Sequence, residues 1–86
     1  AKLRNANLSG AEMSGAYLAG VDLRGANLSK AILQGANFDK AKLDGANFSG
    51  ADLSGAVLWT ANTKGAIFCK TKTPWGVDNS GCKKAK

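Results

Sequence analysis

The chain has 86 residues, a net charge of +6, two cysteines and no histidine. At that length it is one domain that would struggle to bury a conventional core. With no apolar run near the roughly 18 residues of a membrane span, and no signal peptide, it reads as soluble, mature or excised, and without membrane insertion. Lacking histidine and a phosphate-cradling loop, and with Glu12, Asp22, Asp39, Asp44 and Asp52 scattered, it offers no catalytic, cofactor or metal constellation, so the expectation is a protein that is not an enzyme.

From Ala1 to Lys70 the sequence falls into fourteen consecutive five-residue units without an insertion. The first place of each unit is Ala thirteen times and Val21 once. The third place is Leu, Met or Phe everywhere except Thr63, and every glycine before residue 70 stands in the fifth place. Five matches neither the 3.6 residues of a helix nor the 2.0 of a long strand. It fits short extended stretches joined by corners: places one and three point the same way, inward, and the corner falls on a residue able to take positive φ. A repeat of this kind predicts a solenoid in which each coil is stacked on its neighbours.

Units such as Ala26-Asn27-Leu28-Ser29-Lys30 and Ala51-Asp52-Leu53-Ser54-Gly55 make residues 1–70 resemble a pentapeptide-repeat protein, whose consensus is Ala-(Asp/Asn)-Leu-X-X. The resemblance implies an all-β fold, a right-handed quadrilateral β-helix of about three and a half coils, with residues 71–86 as a short irregular C-terminal cap. Handedness and the four-sided section come from the resemblance. The chain starts in register at Ala1 with no N-terminal cap, an expectation that some upstream residues are missing.

At twenty residues per coil the interior columns become Leu3, Leu23, Leu43, Thr63; Leu8, Leu28, Phe48, Phe68; Met13, Leu33, Leu53; and Leu18, Phe38, Leu58. Function is then left to the second, fourth and fifth places. The first face alternates in charge, with Lys2, Asp22, Lys42 and Asn62 beside Arg4, Arg24, Asp44 and Lys64; opposite charges one coil apart predict a self-neutralising surface. On the second face Asn7, Asn27 and Asn47 stack beside Ser9, Ser29 and Ser49, where amides could form a ladder or order water. The same triplets match glycosylation sequons as a by-product of the repeat. Outward apolar residues break the polarity at Tyr17, Ile32, Val57, Trp59 and Ile67. Tyr17 and Ile32 are candidate partner contacts; Trp59 is either such a contact or, with Val57 and Ile67, covered by the tail.

The tail after Lys70 carries the only proline, Pro74, and one of two tryptophans. An open β-helix end exposes unpaired backbone and an apolar cross-section, and Trp75 and Val77 are the predicted plugs. Cys69 lies in the last unit and Cys82 in the tail. A disulfide between them would clasp the tail to the coil, closing about 14 residues for roughly 3 kcal/mol; a reactive redox pair is the other reading. A clasp requires a compartment that is oxidising or accessible to a thiol oxidant. Similar pentapeptide-repeat proteins with disulfide-tied C-terminal caps occur in the thylakoid lumen of plants and in cyanobacteria, which this tail resembles more than the gyrase-protecting branch. Cytoplasm and periplasm are the alternative locations.

Charge separates the binding functions. Residues 1–70 hold eight Lys or Arg against five Asp or Glu, and the tail four against one, whereas a DNA mimic must be acidic to replace phosphates. The leading expectation is therefore a non-catalytic structural or protein-interaction module with a protein partner. The alternative is a nucleic-acid-related protein, either a topoisomerase-interacting homologue or a basic nucleic-acid binder. The chain is expected to be a monomer, or to associate end to end at Ala1 to Asn5, where Lys2 and Arg4 would oppose pairing.

Overall fold

The structure is a computed structural model that describes residues 3–79. Each unit contributes a short extended stretch and a corner. The corner is closed by a hydrogen bond from the first-place N–H of the next unit to the preceding third-place carbonyl, as from Ala26 to Leu23 at 3.0 Å. Positive φ confined to the residue before that donor is the backbone of a type II turn. Every fifth-place residue from Asn5 to Lys70 has positive φ except Thr60, and Lys30, Lys40 and Lys70 accept it without being glycine.

Coils stack by parallel pairing at twenty-residue spacing. Four ladders run along the tube: Asn7, Asn27, Asn47 and Ile67; Glu12, Ile32, Asp52 and Lys72; Tyr17, Asn37 and Val57; and Asp22, Lys42 and Asn62. From the second coil on, a second-place residue bonds the preceding coil through both its N–H and its carbonyl, for example by Asn27 N–H to Ala6 at 2.8 Å and Leu8 N–H to Asn27 at 2.7 Å. The molecule is a β-helix solenoid of 40 × 23 × 23 Å.

The first and third places meet inside the tube. Leu23, Leu28, Leu33, Phe38, Leu43, Phe48 and Leu53 are wholly buried with the alanines between them. Phe48 stacks on Phe68 with ring centroids 5.4 Å apart and planes 4° apart, and meets Phe38 edge-on at 6.3 Å. Towards the N-terminal end Leu8, Met13 and Leu18 are only partly buried, and Leu3 is exposed.

The coil register runs past residue 70. Strand β1 (Thr71–Thr73) repeats the in-out-in pattern, pairs Lys72 with Asp52, and so places Thr71 and Thr73 where the repeat would put Ala and Leu. Thr71 is completely buried, and its hydroxyl donates to the Phe48 carbonyl at 2.6 Å. Thr71→Val is expected to lower stability by about 1 kcal/mol through loss of that bond, read as a shift in urea midpoint at unchanged m-value. Pro74 and Trp75 then turn the chain into β2 (Gly76–Asp78), antiparallel to β1 with Lys72 opposite Val77. This reversal is what ends the ladder. No helix of the described residues is long and apolar enough to cross a membrane.

Candidate functional site

The outward places show why the repeat favours Asn and Asp at place two. Each such side chain accepts from the N–H two residues on: Asn7 from Ser9, Asp22 from Arg24, Asn27 from Ser29, Asn37 from Asp39, Asn47 from Ser49, Asp52 from Ser54 and Asn62 from Lys64. These are Asx turns that satisfy the corner's spare donor. The amides of the second face thus bond locally; along that face the Ser29 hydroxyl donates to that of Ser9 at 3.3 Å.

Tyr17 and Ile32 stand at second places with no side-chain acceptor for the N–H of Ala19 or Gln34. Tyr17 is 79% exposed and Ile32 37% exposed. At these two places the repeat trades a hydrogen bond for an exposed apolar or aromatic side chain. They lie on different ladders and form no common patch.

Trp59 sits at the corner that, among the described fifth places, lacks positive φ. Its neighbour Thr60 is β-branched, which disfavours positive φ, and the corner rearranges around the threonine hydroxyl. In regular corners the fifth-place N–H reaches a fourth-place carbonyl one coil on, as Gly20 does to Asp39 at 2.8 Å. Here Lys40 N–H donates to Thr60 Oγ1 at 2.9 Å, and that hydroxyl donates to the Asp39 carboxylate. Trp59 remains 71% exposed with its ring 6.0 Å from that of Trp75. A threonine at a place that otherwise needs positive φ is the signal that sequence reading passed over.

The two predicted plugs divide. Trp75 packs edge-on against Phe68 at 6.4 Å, over the end of the core, and its indole N–H donates to Asp78 at 3.4 Å. Val77 is 66% exposed and plugs nothing, because the hairpin reversal turns its side chain outward while its backbone pairs with Lys72. Tail cover is likewise partial: Val57 and Ile67 keep more than a third of their surface. The tail is tied by Lys70 N–H donating to Asn79 Oδ1 at 2.8 Å. Cys69 is not a free thiol; Cys82 lies outside the described residues.

On the first face the strongest pairing is within a coil. Arg24 Nε and Nη2 grip the Asp22 carboxylate at 2.9 and 2.8 Å, while Arg4, one coil away, reaches only 3.9 Å. Lys2 lies outside the described residues. The Arg24 hydrogen bond, aided by its backbone N–H and by the charges of Arg24 and Arg4, holds Asp22 at about 2 against the ordinary 3.8, although burial opposes it. A depressed carboxylate contributes stability that is complete above about 3.8 and lost as pH falls through about 2. The melting temperature should therefore drop over that acid window in the native protein, and the drop should be smaller in Asp22→Asn. Asp52 is lowered too, chiefly by the Ser54 side chain and then by Gln34, whose amide donates at 2.7 Å. Among the described residues no cluster of three His, Cys, Asp or Glu is placed to hold a metal.

Comparison with known proteins agrees with the repeat. The family model for pentapeptide repeats matches residues 1–35 and 22–59, with eight copies. A solved pentapeptide repeat protein from the Arabidopsis thaliana thylakoid lumen is 38% identical, with a TM-score of 0.79 over 83% of this chain and 50% of its own. HetL, a pentapeptide repeat protein involved in heterocyst differentiation regulation from the cyanobacterium Nostoc, is 36% identical, with a TM-score of 0.82 over 87% of this chain and 35% of its own. The chain thus spans half the length of the first and about a third of the second. No curated protein matches the sequence.

Proposed function

Since this chain belongs to the pentapeptide-repeat family, we propose that it is a right-handed, four-sided rod, closed at its C-terminal end by a disulfide-tied cap, that works without catalysis by presenting one or more faces to a protein partner. The observation that carries this reading is Tyr17, 79% exposed at a second place, where the Asn and Asp residues of the repeat instead accept from their own backbone. An exposed tyrosine offers a partner a large, stiff, amphipathic contact, and Ile32 and Trp59 are the further candidates. A rigid solenoid loses little conformational freedom on binding.

The proposed compartment is the thylakoid lumen, chloroplast or cyanobacterial. Two observations support it: a similar protein of known structure comes from that compartment, and Cys69 is not a free thiol. The proposed clasp partner is Cys82.

A photo-crosslinking side chain placed at Tyr17 in the full-length protein should give one discrete, saturable adduct in oxidised lumen extract. The same group at Ser14 should give none. Equal labelling from both positions would sink the reading. The nucleic-acid alternative rests on net charge, half of which lies in residues 71–86; a gel shift with duplex DNA that persists at physiological salt and weakens as salt rises further would be required to restore it.

A further inference from the structure

Tyr17, Asn37 and Val57 form one ladder along the tube, and Ala19, Asp39 and Trp59 stand two places further along the same three units, so all six project from one face. This face carries exposed apolar groups at both ends. Tyr17 is 79% exposed in the first coil and Trp59 71% exposed in the third, where Val57 keeps 37%. The Trp75 ring, 6.0 Å from that of Trp59, limits its movement.

The charge of the face is as distinctive as its rings. In units 16–20, 36–40 and 56–60 the charged residues are Asp39 and Lys40, which cancel, on a chain whose net charge is +6. The adjoining faces carry their ladder charges at Asp22 and Lys42 on one side and at Glu12, Asp52 and Lys72 on the other, each turned away by a corner. A polyanion would be drawn to the basic faces instead, and a basic partner would find one carboxylate here, already accepting from the Thr60 hydroxyl. Two like-charged copies of this chain repel least through the surface with no net charge.

The order of side chains along the face makes it self-complementary. Coils about 4.8 Å apart put Tyr17 and Val57 roughly 10 Å from one another along the rod, with Asn37 midway. A twofold axis lying across the face at Asn37 sets two rods antiparallel, so that Tyr17 covers the partner's Val57 and Trp59 covers the partner's Ala19. Each ring then meets a smaller side chain. At the axis Asp39 of each copy lies beside the partner's Lys40, giving two reciprocal opposite-charge pairs in place of an acid facing an acid. Parallel rods would instead set Tyr17 on Tyr17 and Trp59 on Trp59, leaving a gap at Ala19.

We propose that this face is a homodimer interface, in which a second copy of the chain packs antiparallel with the Tyr17 end of one rod over the Trp59 end of the other. The proposal rests on the protein-interaction reading above and names the partner. At about 150–250 Å² for each aromatic side chain, four largely exposed rings make an interface at the small end of specific ones, so the dimer forms and dissociates with concentration. The interface is isologous and closes on itself, leaving the other three faces of each rod uncovered.

The test is sedimentation equilibrium of the full chain from micromolar concentration to about 1 mM, with a photo-crosslinking side chain at Tyr17 to read the register. The expected result is a rise towards twice the monomer mass, and a purified-protein adduct that joins residue 17 to the partner's 56–60 unit. Tyr17→Asn, which restores the acceptor that the repeat uses at that place, should keep the melting temperature of the dilute protein and weaken association about tenfold or more. Lys40→Glu, which gathers four carboxylates at the axis, should weaken it too, while Glu12→Gln on the adjoining face should not. A chain that stays monomeric at about 1 mM, association indifferent to Tyr17→Asn, or an adduct joining residue 17 to the partner's 16–20 unit would overturn the antiparallel dimer. A Tyr17 adduct with a different protein in extract, from a chain that remains monomeric when pure, would retire the dimer and leave the interaction reading standing.

Discussion

Replacing Phe48 by alanine is expected to destabilise the protein by about 3–5 kcal/mol, the largest effect of any single side chain here. Phe48 is wholly buried, stacked face to face with Phe68 on one side and edge-on with Phe38 on the other. The tube leaves no second layer of side chains to collapse into the void, because the buried first-place alanines that line it are too short to fill it. Nearest-neighbour coupling should make the loss spread upward: Phe68 would lose its stacking partner and Trp75 its support. Urea unfolding followed by tryptophan fluorescence checks this. A loss below 1 kcal/mol would mean that the Phe column is not the core of the C-terminal coils.

Opening the proposed clasp between Cys69 and Cys82 is the second large effect. Closing about 14 residues constrains the unfolded chain by roughly 3 kcal/mol, which for a domain of this size corresponds to about 10–20 °C in Tm. Reduction of the native protein and the double substitution of both cysteines by serine should give the same drop, since both remove one constraint on the unfolded state. The tail should loosen first, because what the structure otherwise shows holding it is the β1–β2 pairing, the Lys70–Asn79 bond and the Trp75 ring contacts. Tryptophan emission from Trp59 and Trp75 therefore reports it before the coils unfold. A native protein whose melting is indifferent to reductant would remove the clasp, and with it the thiol argument for the lumen.

The two effects act on different parts of the molecule. Phe48 holds coil to coil by dispersion and burial, which salt and redox state leave alone. The clasp acts through the connectivity of the chain, and so responds to the compartment.

Much of the fold was legible from the register because a period of five with a turn residue at its end admits one side-chain arrangement. Ala26, Leu28, Ala46 and Phe48 are buried as the first and third places require, and ladder partners are twenty residues apart. The Phe48–Phe68 stack follows from the same arithmetic. Less of the surface was legible. Asn27 looks, in sequence, like one rung of an amide ladder, yet its carbonyl oxygen is occupied by Ser29 N–H two residues on. Asp22 sits opposite Lys42 along the tube, but the bidentate geometry of Arg24 in its own coil takes the carboxylate.

Sequence by itself therefore determined direction: which side chains face in and which face out, since these depend on periodicity and on where the backbone can take positive φ, while the four-sided stacking was expected from the family resemblance. Tertiary structure decided partnership and ending. It chose among several in-range partners for Asp22, continued the coil through Thr71 and Thr73 despite their polarity because the Thr71 hydroxyl finds the Phe48 carbonyl, broke the corner at Thr60, and turned Val77 outward by reversing the chain after Trp75. Those outcomes turn on which groups come within hydrogen-bond distance in three dimensions, some of them, like Thr71 and Phe48 or Lys40 and Thr60, a full coil or more apart in the chain, and no repeat pattern encodes them.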